Sequence, residues 1–110
     1  KIALGSCAKQ WMPQPIWASI DSTNPDVFLF LGDAIYGDWN DTNVFEVSEQ
    51  TLDRDYAKLA AIPEYKTFAA STPIQAIWDN HDYGIHNGGV EFKHKELTKR
   101  KFLDFFGEGQ

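Results

Sequence analysis

The sequence predicts a single α/β domain built on a parallel sheet, and three observations carry that expectation. Three apolar segments end abruptly in small or polar residues: Ile2-Ala3-Leu4 before Gly5-Ser6-Cys7, Val27–Leu31 before Gly32-Asp33, and Ile74–Trp78 before Asp79-Asn80-His81-Asp82. Helical patterns lie between these segments, so the order reads β-α-β-α-β, the signature of a sheet wound with right-handed crossovers. At 110 residues, 43% of them hydrophobic and 15% aromatic, the chain has material for one core and fits one ordinary domain.

Each element has its own reason. Val27-Phe28-Leu29-Phe30-Leu31 shows no polar alternation, which predicts a strand covered on both faces, and its length favours strand over buried helix. The first helix is expected over Gln14 to Ser22, with Pro15 in its first turn and Ile16, Trp17 and Ile20 on one side. Asn24-Pro25-Asp26 stops it. A second helix is expected from about Glu49 to Ala61, with Ser48 as N-cap and Leu52, Tyr56, Leu59 and Ala60 at i, i+4, i+7 and i+8. Pro63 ends that helix or begins a short turn through Tyr65 and Phe68. From Phe92 to Phe106 a C-terminal helix is expected, and Phe106-Gly-Glu-Gly-Gln110 carries no final element.

The balance of 10 Lys plus Arg against 16 Asp plus Glu gives a net charge of −6. Such a field repels polyanions, which argues against general nucleic-acid binding and requires that an anionic substrate be held by something local, such as a metal ion. Half of the basic residues, Lys93, Lys95, Lys99, Arg100 and Lys101, fall in the last helical pattern and read as a solvated face. No run of 18 apolar residues exists, so no transmembrane segment is expected, and no signal peptide is recognisable at Lys1-Ile-Ala-Leu-Gly. The single cysteine, Cys7, excludes an intramolecular disulfide framework.

In open α/β sheets ligands bind beyond the carboxyl ends of the strands. All three strand ends here carry candidate metal ligands: Cys7; Asp33 followed by Tyr36 and Asp38; and Asp79, Asn80, His81 and Asp82. Each has a structural alternative. Taken singly, the structural reading is the stronger: Cys7 as a small buried hydrophobe, Asp33 as a turn former, and His86 and His94 as solvated side chains. Their coincidence at one end of the sheet favours a shared polar site. A phenolate binds a hard trivalent ion, an asparagine oxygen suits a divalent one, and a histidine beside an aspartate protonates a leaving group. These are the parts of a two-metal hydrolase.

Gly5-Ser-Cys7, Phe30-Leu-Gly-Asp33-Ala-Ile-Tyr36-Gly-Asp38 and Ile77-Trp-Asp79-Asn-His-Asp82-Tyr-Gly resemble, in order and spacing, the alkaline phosphatase D group of calcineurin-like metallophosphatases, within the purple acid phosphatase superfamily. The likeness extends to Tyr56-Ala-Lys-Leu-Ala60, Pro63-Glu-Tyr65, Ala70-Ser-Thr-Pro73 and Phe102–Gly107, and so covers nearly the whole chain. It implies the amino-terminal part of a metallo-dependent phosphatase α-β-β-α sandwich that hydrolyses phosphate mono- or diesters. Carried over residue by residue, it implies that Asp33 bridges two metal ions, that Cys7 and Tyr36 bind iron, and that Asn80 binds the second ion, calcium, zinc or manganese. His81 would face the leaving group, oriented by Asp82. Export from the cytoplasm is also implied.

Two departures stand out. The group frequently has Asp-Asp-His where this chain has Asp79-Asn80-His81, and many relatives carry Asn-Asp where this chain has His86-Asn87. The superfamily completes its metal shells with later histidines, and no histidine follows His94, so the 110 residues read as the amino-terminal portion of a larger enzyme, with weak or no turnover alone. Alternatives from other classes are a non-catalytic module holding calcium through Asp33, Asp38, Asp79 and Asp82, and a partner-binding domain that uses exposed Trp11 and Trp39.

Overall fold

The computed structural model describes residues 1–107, so the last three residues of the tail read above as element-free lie outside the described residues. A central three-stranded sheet joins β1 (Ile2–Gly5), β2 (Val27–Leu31) and β3 (Ile74–Ile77), all parallel, in the order β1-β2-β3. Five helices complete the fold: α1 (Ile16–Ser22), α2 (Glu49–Ala61), α3 (Pro63–Ser71), α4 (Asn80–Tyr83) and α5 (Lys95–Phe106). The α/β class and the parallel strands are therefore as the sequence predicts, while two helices rather than one join β2 to β3 and two follow β3. No helix among the described residues is long and apolar enough to cross a membrane.

The sheet buries one face. Register places Ala3, Gly5, Phe28, Phe30, Ile74 and Ala76 on the same side, and there Phe28 and Phe30 are each 1% exposed. Trp17 of α1 anchors the cover, with ring centroids 5.0 Å from Phe28, 5.0 Å from Tyr65 and 5.5 Å from Phe68 of α3. Phe106 of α5 closes on Phe30 at 5.9 Å. The opposite face carries Ile2, Leu4, Leu31 and Ile77, all exposed. The expectation that β2 is covered on both faces is thus corrected. Trp17 of α1, Phe68 of α3 and Phe106 of α5 all meet Phe28 or Phe30, and crossovers of one hand that step in one direction along the order β1-β2-β3 keep their helices on one side.

Local chemistry explains most boundaries. Ser48 caps α2 in a reciprocal box: Thr51 N–H donates to Ser48 Oγ at 3.2 Å and Ser48 N–H to Thr51 Oγ1 at 2.8 Å. Leu52, Tyr56 and Leu59 are buried as expected, but Ala60 is exposed and Asp55 joins the buried stripe instead. Pro63 begins a full helix rather than a short turn, since a proline at N1 forfeits no intrahelical hydrogen bond. In α1, Trp17 is buried whereas Ile16 faces solvent.

α5 starts at Lys95, three residues later than predicted. Phe92 is buried ahead of it, with its N–H donating to Gly89 O in a turn. The basic residues of this region are not all free on a solvated face. Lys101 reaches Glu49 at 3.1 Å and Asp53 at 2.8 Å, pinning α5 to α2, and Lys93 pairs with Glu46.

Candidate functional site

The carboxyl ends of the three strands are stitched together by backbone. Cys7 N–H donates to Gly32 O at 3.2 Å and Ala8 N–H to Asp33 O at 2.8 Å, joining the exits of β1 and β2. Gly37 N–H donates to His81 O at 3.1 Å, joining the loop after β2 to α4. The exits are conformationally unusual. Gly32 has φ +105, and Cys7 and Asp33 hold left-handed φ values of 63 and 54. A Cβ on Gly32 would lie 2.6 Å from Asp79 Cβ, so only glycine lets the third strand end approach. Non-glycine residues in this region carry strain that their surroundings must hold in place.

Cys7, Asp33 and Tyr36 converge. Cys7 Sγ lies 3.8 Å from Asp33 Oδ2, while Asp33 Oδ1 accepts from His81 N–H at 3.1 Å. Burial raises the Asp33 carboxyl above its ordinary value. Burial pushes up the Tyr36 phenol as well, and the neighbouring Cys7 sulfur adds to that shift. Desolvated acids side by side favour either protons or a shared cation. Tyr36 is also fixed from behind: the Gln10 amide donates to Tyr36 O at 3.1 Å and accepts from Tyr36 N–H at 2.9 Å. Nothing in the spacing of these two residues signals that clasp.

His81 sits in an aromatic slot, its ring centroid 4.3 Å from Tyr36 and 5.8 Å from Trp39, the latter stacked at 20°. Its Nδ1 lies 2.6 Å from Asp38 Oδ1. A carboxylate only accepts, so Nδ1 carries the hydrogen and Nε2 is left for other work. The carboxylate orienting His81 is therefore Asp38, where the resemblance implies Asp82. Asp82 is fully buried and spends both oxygens on backbone, accepting from Asp33 N–H at 2.5 Å, Ile35 N–H at 3.1 Å and Asp79 N–H at 3.1 Å. Burial pushes its pKa up to about 6, against the pull of those three donors.

Asn80 opens α4, and its amide nitrogen lies 3.2 Å from His86 Nδ1. That short helix is absent from the elements the sequence predicts. Its signal was present in Asp79 with an acid three residues on, and in Gly84, which closes the turn at φ +104. Trp11 and Trp39 are only half-buried and pack edge-on against one another at 6.4 Å, so neither is the freely exposed anchor that a partner-binding reading assumes.

Among the described residues no three His, Cys, Asp or Glu side chains gather into a metal-binding cluster. The convergent donors are instead one thiol, one carboxyl and one phenol. In comparisons with known proteins, no family model matches the chain, and neither does any curated protein or solved structure. The fold and site define a small parallel α/β protein with acidic and imidazole groups assembled at the carboxyl edge of its sheet.

Proposed function

We propose that the chain belongs to a metal-dependent hydrolase of phosphate mono- or diesters, of the alkaline phosphatase D type. One observation carries this: Cys7, Asp33 and Tyr36 present a thiol, a carboxyl and a phenol to one another, with the His81 imidazole held beside them by Asp38. Soft thiolate with hard phenolate and carboxylate suits iron. These three residues would hold it, and Asn80, whose amide nitrogen faces His86, keeps its oxygen for a second ion, calcium, zinc or manganese. Such ions supply positive charge for phosphoryl oxygens and acidify water.

The protein's own groups do the rest. Asp38 fixes the imidazole through Nδ1 and leaves Nε2 unengaged, so that His81 gives a proton to the departing alcohol. Asp82 holds the Asp33 and Asp79 loops in register through their amides. The bare sheet face of Ile2, Leu4, Leu31 and Ile77 fits the second layer of the sandwich that the resemblance implies. By the same resemblance, the enzyme works outside the cytoplasm.

The test is hydrolysis of p-nitrophenyl phosphate and its bis-ester by the metal-loaded full-length enzyme, with Asp33→Asn lowering the rate by orders of magnitude. Activity of that variant within tenfold of wild type would sink the assignment. The bare sheet face also supports a second reading, a non-catalytic partner-binding module, for which a metal-free and turnover-free full-length protein would speak.

A further inference from the structure

A groove of about 930 Å³ opens beside the His81–Asp38 pair, within the size range of small-molecule sites. The Trp39 indole, stacked on the imidazole, begins its wall, and Val44, Phe45, Ile85 and Phe92 continue it. Val44 is 81% and Ile85 41% exposed, an arrangement that leaves apolar surface facing water. One wall is preformed. Trp39 and Val44 pair across an antiparallel bridge, Phe45 N–H donates to Asp38 O at 2.9 Å, and Asn40 Oδ1 accepts from Thr42 and Asn43 N–H.

Every cation that reaches the groove is already matched, while the Glu91 carboxylate is held only by the Gly89 N–H at 2.8 Å. Glu46 pairs with Lys93 and His94, each at 2.6 Å, and Asp38 with His81. No lysine of the groove is left over to hold a second phosphate or a carboxylate. Apolar walls with no cation to spare and an unpaired carboxylate at the rim exclude a second anion and select an uncharged, flat group.

We infer that this groove is a leaving-group subsite for phosphate esters of aromatic alcohols, an inference that rests on the hydrolase reading above. In the reaction, water oxygen bonds to phosphorus and the bond from phosphorus to the alcohol oxygen breaks. The proton on His81 passes to that oxygen, and water's proton returns to solvent. The aryl group then lies against Trp39, with its oxygen toward the imidazole.

The probe is 2-naphthol, the alcohol such an ester would release, followed by amide and indole NMR shifts of the metal-free protein. Saturable shifts at Trp39 Nε1–H and at the Ile85 and Phe92 amides are expected, with none from glycerol. Val44→Asp and Ile85→Asp, both at exposed positions, should each weaken binding at least fivefold while the amide spectrum outside the groove stays that of the wild type. Unmoved groove signals, or both variants binding as wild type, would overturn the inference. Hydrolysis of p-nitrophenyl phosphate without any naphthol shift refutes the groove and leaves the hydrolase standing. Naphthol binding by a metal-loaded full-length enzyme that hydrolyses nothing supports the groove and refutes the hydrolase.

Discussion

Asp38 Oδ1 lies 2.6 Å from His81 Nδ1, across 43 residues of chain and between two aromatic rings. The pair fixes both the tautomer and the aim of the imidazole, since the carboxylate accepts from one ring nitrogen and leaves the other for chemistry.

Asp38→Asn should therefore release the ring. A neutral amide either offers a weaker acceptor or turns its NH₂ against the Nδ1–H. Long-range ¹⁵N NMR of the His81 ring should change from one tautomer to a mixture. Turnover of the metal-loaded protein should drop by about 10²-fold, the lower end of general-acid contributions, and more for alkyl than for p-nitrophenyl leaving groups. An unchanged His81 spectrum would place the orienting role elsewhere.

Asp82 makes a different prediction because its oxygens hold three backbone amides at the junction of the strand exits. Asp82→Ala leaves those buried donors without partners. A loss of about 3 kcal/mol in urea unfolding is expected, given roughly 1–3 kcal/mol for each unsatisfied buried group and partial relief by water. Asp82→Asn keeps one acceptor and should cost about half as much. A variant as stable as wild type would contradict the clamp.

These two residues mark the limit of what the sequence discloses. The strands, the α2 cap at Ser48 and the gathering of Cys7, Asp33 and Tyr36 at one sheet edge are legible, because each is written in local composition or in strand direction. Asp82 is not, because its partners are peptide N–H groups that every residue carries. Gln10 with Tyr36 and Asp38 with His81 join residues 26 and 43 apart, distances that only the folded chain closes. The single-sided burial of β2 escapes for a related reason. Leu29 and Leu31 are as apolar as Phe28 and Phe30, and strand order alone decides which pair meets helices.

Tyr56 offers a stabilising substitution. Its ring packs on Phe105 at 4.7 Å between centroids, yet its buried hydroxyl has no hydrogen-bond partner among the described residues. Tyr56→Phe keeps the packing and removes a desolvated polar atom, so stability should rise by about 1 kcal/mol. A loss of similar size in the urea midpoint would mean that the hydroxyl is bonded in solution.

Glu46 ties the hairpin wall of the groove to the segment before α5. Hydrogen bonds from Lys93 and His94 lower its carboxyl from 4.5 to about 2. With the folded value depressed below the unfolded one, the tether contributes stability above about pH 4.5 and loses it as the pH falls toward 2. The side chain is exposed, so salt weakens the effect, the screening length shrinking to about 3 Å at 1 M. Carboxyl ¹³C NMR should place the Glu46 midpoint near 2 in low salt. Lys93→Ala, or 1 M salt, should each move it up toward 4.5. A wild-type midpoint already at 4.5 would show that Lys93 and His94 do not hold this carboxylate, and that the groove's rim charges are unmatched.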